Sequence, residues 1–155
     1  MTPPDNAWQR PATASVRRIT ASDVERVVPL MAELGYPTSA DVLAARLCAL
    51  SRNPADAVLV AEFDGSIVGL TALHSFELLH IPGRTGRITA LVVSAVARKQ
   101  GIGTQLLHAA EKCLVECGCT RLEVASAERR SDAHAFYEKH GYIEKRRRFM
   151  KSVPT

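Results

Sequence analysis

One segment constrains this chain more than any other, residues 88 to 118. Ile88-Thr89-Ala90-Leu91-Val92-Val93 is apolar enough to form a strand buried on both faces. A short loop then leads to Arg98-Lys99-Gln100-Gly101-Ile102-Gly103, where two cations precede a pair of glycines. Ile102, Leu106, Leu107, Ala110, Cys113, Leu114 and Cys117 recur at helical spacing. They predict a long amphipathic helix from Gly101 to Cys117, ended by Gly118. A buried strand feeding such a helix belongs to a layered α/β fold. The junction also suits an anion. Glycine lets backbone approach a ligand closely, and the first turn of a helix offers amide donors at the positive end of its dipole. Arg98 and Lys99 add charge beside it. The spacing is not that of a P-loop, since no Gly-Lys-Ser/Thr follows. It is not a Rossmann fingerprint either, because Leu106 stands where the third glycine belongs.

The rest of the chain supplies partners for that unit. Residues 1 to 14 are rich in Pro, Thr and Ala without periodicity and read as a loose tail. Val16-Arg17-Arg18-Ile19 predicts a short strand. Ser22-Asp23-Val24-Glu25 has the form of a capping box opening a helix on Val24, Val27, Val28 and Met31, which Gly35-Tyr36-Pro37 ends. Thr38 or Ser39 starts a second helix, with Val42, Leu43, Leu47 and Leu50 on its apolar side. Residues 57–63 and 66–73 form a hairpin about Asp64-Gly65, and a loop near Ile81-Pro82-Gly83 follows. Beyond the long helix come a strand at 122–125, a helix from Ser131 to His140 stopped by Gly141, and a last strand from Tyr142 to Met150. The order is β-α-α-β-β-β-α-β-α-β, an α/β fold with one domain spanning residues 15–155.

Composition closes off some functions. With 155 residues, 46% hydrophobic and 23% charged, the chain can bury a core of its own. A net charge of +4 suits an anionic ligand as well as nucleic acid. Arg146-Arg147-Arg148 brings no aromatic platform and reads as a charged edge strand, so nucleic acid is not an expected partner. No apolar run reaches the roughly 18 residues of a membrane helix. Met1-Thr2-Pro3-Pro4-Asp5 has neither a basic leader nor an apolar run, so a cytoplasmic location is expected. Cys48, Cys113, Cys117 and Cys119 lack a Cys-x-x-Cys pair or a His-x-x-x-His partner, so free thiols and no metal are expected.

Two blocks together resemble the GNAT superfamily of N-acetyltransferases. The first is Leu91-Val92-Val93 followed by Arg98-Lys99-Gln100-Gly101-Ile102-Gly103 and Thr104-Gln105-Leu106-Leu107. The second is Ala133-His134-Ala135-Phe136-Tyr137-Glu138-Lys139-His140-Gly141-Tyr142. The resemblance covers residues 16 to 151 and implies a mixed, largely antiparallel sheet flanked by helices. It implies acetyl-CoA as cosubstrate, with backbone amides of Arg98, Lys99, Gln100, Gly101, Ile102, Gly103 and Thr104 on the pyrophosphate. Leu91, Val92 and Val93 would pair with the pantetheine arm as an added strand. Tyr137 would stand near the sulfur as a general acid, a task its phenol suits.

The chain departs from the family pattern in two places. Many members carry a carboxylate base on the buried strand where this chain has Thr89 and Ala90. Many have an asparagine where Ala127 stands. Glu77 and His80 are the candidates to deprotonate the acceptor, because their segment leads into the central strand from the substrate side. The branch most resembled contains aminoalkylphosphonate and aminoglycoside 6'-N-acetyltransferases. Direct attack by a primary amine of a small molecule, in a ternary complex, is therefore the expected reaction. Acetylation of a protein lysine or N-terminus, or a weakly catalytic acyl-CoA sensor, are the alternatives. An exposed last strand could support a homodimer.

Overall fold

The computed structural model describes residues 13–125, 131–145 and 148–155. The chain divides into two compact units, one ending at Ala125 and one beginning at Ser126. In the first unit, β1 (Ser15–Arg18), β2 (Asp56–Phe63), β3 (Ser66–Leu78), β4 (Ile81–Val93) and β5 (Cys119–Val124) form one sheet in sequential order. The first four strands pair antiparallel and β5 runs parallel to β4.

Apolar residues leave both faces of this sheet. On one, α1 (Val24–Leu34) and α2 (Ala40–Ser51) pack Val24, Val27, Leu30 and Leu43 against Val58, Val60, Leu70 and Val92. On the other, α3 (Ile102–Glu116) packs Ile102 and Leu106 against Ala61, Val68 and Ala97. Leu91 and Val93 join that second cluster, so β4 is covered on both sides. α2 begins as expected, with the Ser39 hydroxyl accepting the Val42 amide at 3.3 Å. Its apolar side is narrower than its spacing suggested, because Leu43 is buried while Val42 and Leu50 are exposed. Likewise Cys117 is exposed, being the residue on which α3 ends, whereas Leu114 is buried.

Three expectations need correction. The box predicted at Ser22 and Glu25 forms instead at Thr20 and Asp23. The Asp23 carboxylate accepts the Thr20 amide at 2.7 Å and the Thr20 hydroxyl at 3.0 Å. Asp23 wins that role because Arg17 and Arg26 compensate its buried charge. Second, β3 runs on to Leu78 and β4 starts at Ile81, so the loop foreseen near Ile81-Pro82-Gly83 is strand. Pro82 and Gly83 are tolerated because the register shifts around them: Leu78 pairs with Ile81 and Glu77 with Arg84. Third, the described residues from 142 to 150 contain no strand, and Arg146 and Arg147 lie outside the description. Ile143, Phe149 and Met150 are exposed rather than seated in a ladder. The edge-strand argument for a dimer therefore has no strand to stand on among the described residues.

The hairpin turn obeys its sequence. Asp64 and Gly65 both have positive φ, at 50° and 76°, as a two-residue turn between Phe63 and Ser66 requires. Ala14 is also fixed: the Gln105 side chain accepts its amide at 3.3 Å and donates to its carbonyl at 3.4 Å. In the second unit, α4 (Ser131–Lys139) ends at Gly141 with φ 90°. No helix of the described residues is long and apolar enough to cross a membrane.

Candidate active site

The site is built on a strand that outruns its neighbour. β5 pairs with β4 from Arg84↔Cys119 to Ile88↔Val124, and there the ladder stops. β4 continues to Val93 while still paired with β3 through Val93↔Gly69. Over Thr89–Val93 the other edge of β4 has no strand beside it among the described residues. An unpaired edge exposes amide and carbonyl groups to whatever extended chain can add to it. Leu91, Val92 and Val93, the residues expected on the pantetheine arm, lie on this stretch.

The open stretch begins with a bulge. Ala72 pairs with Ala90 but Leu73 pairs with Ile88, so Thr89 is the extra residue. Its hydroxyl donates to the Ala72 carbonyl at 3.1 Å, and across the pair the Thr71 hydroxyl donates to the Ala90 carbonyl at 2.9 Å. Two threonines thus supply hydrogen bonds where the bulge interrupts the ladder. Thr89, which with Ala90 stands where the resemblance leads to the expectation of a carboxylate, has its hydroxyl engaged with backbone.

Beyond β4 the chain turns sharply into α3. The Ser94 amide donates to the Val68 carbonyl at 2.7 Å, and the Ala95 amide to Glu33 Oε1 of α1 at 3.0 Å. Arg98 Nε donates to the Val93 carbonyl at 3.3 Å. Lys99 has φ 62°, in the left-handed region where a non-glycine residue carries strain, and Gly101 follows at φ 78°. Gly101 is the residue on which α3 opens, and the Gln105 amide donates to its carbonyl at 3.1 Å. Alternating backbone hands of this kind gather N–H groups into an anion-binding concavity, here at a helix N-terminus. A Cβ placed on Gly101 would meet nothing within 4 Å, so the space in front of the loop is open. Arg98, Lys99, Gln100 and Gly101 are exposed, Ile102 is buried, and Gly103 and Thr104 lie between. A diphosphate fits these residues. Glu33, which pins the start of the loop, was invisible in the sequence because its partner is a backbone amide 62 residues away.

The candidate bases separate. Glu77 is exposed on β3, with its carboxylate 3.9 Å from Arg84. His80 is exposed in the β3–β4 turn. His74 is nearer the bulge: its Nδ1 lies 2.7 Å from Asp56 Oδ1, and its ring stacks on Phe76 with centroids 5.6 Å apart. Nothing local in the sequence marks it, because its partner lies in another strand. Tyr137, in the second unit, makes edge contacts with Phe136 at 5.3 Å and Tyr142 at 5.7 Å. Ala127 lies outside the described residues. Burial pushes the Cys113 and Cys119 thiols above their ordinary pKa, which disfavours either as a nucleophile. Among the described residues no group of three or more His, Cys, Asp or Glu could hold a metal.

The sequence matches the acetyltransferase (GNAT) family over residues 24–142. It is 34% identical to an aminoalkylphosphonate N-acetyltransferase of Salmonella typhimurium, an alignment covering 89% of this chain and 90% of that protein. Among solved structures, a GNAT family acetyltransferase of Staphylococcus aureus superposes with a TM-score of 0.78 at 24% identity, covering 91% and 99% of the two chains. The aminoglycoside N-acetyltransferase AAC(6')-Iy, solved in complex with CoA, gives a TM-score of 0.82 at 15% identity, covering 96% and 99%. Likenesses at these identities speak for the fold.

Proposed function

Because the chain belongs to the GNAT family of acetyltransferases, we propose that it carries acetyl from acetyl-CoA to the primary amine of a small molecule, by direct attack within a ternary complex. The observation that carries the choice of acceptor is the 34% identity, over most of both chains, to an enzyme named for acetylating aminoalkylphosphonates. An acceptor of that class, a short amine bearing an anionic group, is the first to test.

The residues divide the work as follows. Backbone amides from Arg98 to Thr104 hold the pyrophosphate, with the Arg98 and Lys99 side chains adding charge beside it. The open edge of Leu91, Val92 and Val93 aligns the pantetheine arm, and an amide of that edge stabilises the oxyanion as the amine attacks. Acetyl-CoA supplies an activated acyl group with a thiolate leaving group. Tyr137 donates the proton that the departing sulfur needs.

The test is release of free thiol from acetyl-CoA in the presence of aminoalkylphosphonates, aminoglycosides and peptides with free amines. Thiol release with a small amine is the expected result. Release with peptides alone would reassign the acceptor to protein, and binding of coenzyme A without turnover would make the chain a sensor. Tyr137→Phe keeps the ring and removes one proton donor. It should lower kcat and kcat/KM together by about 10²- to 10⁴-fold, with KM for acetyl-CoA little changed. A kcat within roughly threefold of the parent would remove Tyr137 from the chemistry.

A further inference from the structure

A line of polar side chains crosses the sheet just below the bulge. Asp56 on β2 stands opposite His74 on β3, His74 opposite Arg87 on β4, and Arg87 opposite Glu123 on β5. Cross-strand partners share a face. Asp56 alternates with Val58 and Val60, which pack under α1 and α2, so the line lies on that face, away from α3. The four groups form two pairs. Asp56 holds His74 through Nδ1, and Glu123 Oε1 accepts from Arg87 Nε at 2.5 Å. Phe76 joins them, carrying the imidazole stacked at 20° and the Arg87 guanidinium 4.7 Å from its centroid.

The first pair joins a shielded carboxylate to a more open imidazole. Asp56 is largely buried, with 12% of its side chain exposed, while His74 keeps 37%. An imidazole whose Nδ1 donates to a carboxylate presents a lone pair at Nε2. Among the described residues Nε2 has no hydrogen-bond partner. Position along the strand completes the case. His74 lies opposite Arg87, two residues before Thr89 and so roughly 7 Å along β4 from the bulge. Glu77 lies opposite Arg84, roughly 17 Å from it, and His80 lies beyond the end of β3.

We propose that His74, oriented by Asp56, is the base that takes the proton from the acceptor ammonium. This rests on the acetyltransferase reading above. The ammonium N–H bond breaks toward Nε2, giving an imidazolium and a neutral amine. The amine nitrogen then bonds to the thioester carbonyl carbon, its second proton leaves as the C–S bond breaks, and the thiolate takes up one proton to become the thiol. The imidazolium returns its proton to solvent, so each turnover releases one proton in all. The charged groups facing the ring are Asp56 from β2 and Arg87 from β4, with Glu123 from β5 turned to Arg87. From α1, Arg26 is engaged with Asp23 and Glu62, and Glu33 with the Ala95 amide. Glu25 of α1 and Asp41 and Arg46 of α2 make no contact with the ring, and the charged residues of α3 lie behind the opposite face.

The experiment compares two acceptors on the parent enzyme, His74→Gln, Asp56→Asn, Glu77→Gln and His80→Ala. One acceptor is a strongly basic alkylamine, protonated at neutral pH, and the other a hydrazide, already neutral there. Thiol release by the parent is measured first. If no amine supports it, the acetyltransferase reading fails and this proposal with it. On a working parent, His74→Gln should lose about 10²- to 10⁴-fold in kcat with the alkylamine and far less with the hydrazide. The limb of the rate profile that rises with pH should flatten, while stabilisation by coenzyme A stays. Asp56→Asn leaves the imidazole but presents the wrong tautomer, and should show the same preference for the hydrazide at smaller amplitude. It also carries the test if His74→Gln does not fold. Equal losses on both acceptors would mean a structural role and overturn the proposal. The alkylamine-selective loss appearing in Glu77→Gln or His80→Ala instead would overturn it too.

Discussion

Asp23 is 2% exposed and sits between two arginines, Arg17 and Arg26. Arg17 donates to both of its oxygens, at 2.7 and 2.9 Å, and also reaches Glu62 at 2.5 Å. The Arg17 guanidinium, followed by the Thr20 amide and hydroxyl, holds the Asp23 carboxyl well below the usual carboxylate range, outweighing the opposing effect of burial. A folded-state pKa below the unfolded value of about 3.9 gives stability that is present above that pH and is lost as the pH falls below it. Asp23→Asn should therefore flatten the acid limb of the stability curve below about pH 4. At neutral pH it should cost about 2–4 kcal/mol, since Arg17 and the Thr20 amide lose a charged acceptor. Urea melts of parent and variant from pH 2 to pH 7 would check both statements, and parallel curves would refute the linkage. None of this was readable from Ser22-Asp23-Val24-Glu25. The segment carries a capping pattern, but the choice among Ser22, Asp23 and Thr20 depends on Arg17 across a turn.

The elements themselves were legible wherever local pattern and tertiary demand agreed. The end of β4 at Val93, the loop after it and the helix over Ile102–Glu116 are legible because apolar periodicity, glycine and charge point one way there, although the strand begins at Ile81 and not at Ile88. The length of the β3–β4 hairpin was not foreseen, because Pro82 and Gly83 are turn formers that this hairpin absorbs in a register shift. The open edge of β4 and the bulge at Thr89 were equally hidden, since both depend on pairing with other strands. Close packing of elements also leaves traces that only the structure explains. A Cβ on Gly86 of β4 would fall 2.9 Å from both methyls of Leu114 and 3.0 Å from its Cβ. Leu114 is buried in α3, so the helix rests directly on the strand. Gly86→Ala should destabilise by about 1–3 kcal/mol through overpacking, and Leu114→Ala by about 2–5 kcal/mol through a cavity. The double variant should lose less than the sum, because the new methyl fills part of the space vacated. Denaturant melts of the three variants measure this directly, and strict additivity would show that the two residues do not meet.

At the scale of the whole molecule, the two units differ in what holds them. Every described residue that is buried lies before Ala125, and the described residues of α4 and beyond are exposed or half-buried. This is why the end of the chain was the least legible part. Alternating and charged residues from Tyr142 to Met150 satisfy a strand pattern, but a strand forms only where a ladder receives it, and the described residues among them join none. The proposed pyrophosphate cradle, between β4 and α3, belongs to the first unit, so coenzyme A binding there should register in the unfolding of that unit. A ligand that binds the folded state alone adds about 2.7 kcal/mol at a hundred times its dissociation constant. For a chain of this size each kcal/mol moves the midpoint by about 2–4 °C, so coenzyme A should raise Tm by about 5–11 °C. The shift should grow with the logarithm of ligand concentration, and only the transition that melts β4 and α3 should move. Gly103 is the residue to challenge, since it stands in the first turn of α3 behind Gly101. Gly103→Glu adds a side chain and a negative charge beside the proposed pyrophosphate position, so the variant should fold yet gain nothing from coenzyme A. Thermal melts of parent and variant over a coenzyme A titration decide it, and equal shifts in the two proteins would place the diphosphate elsewhere.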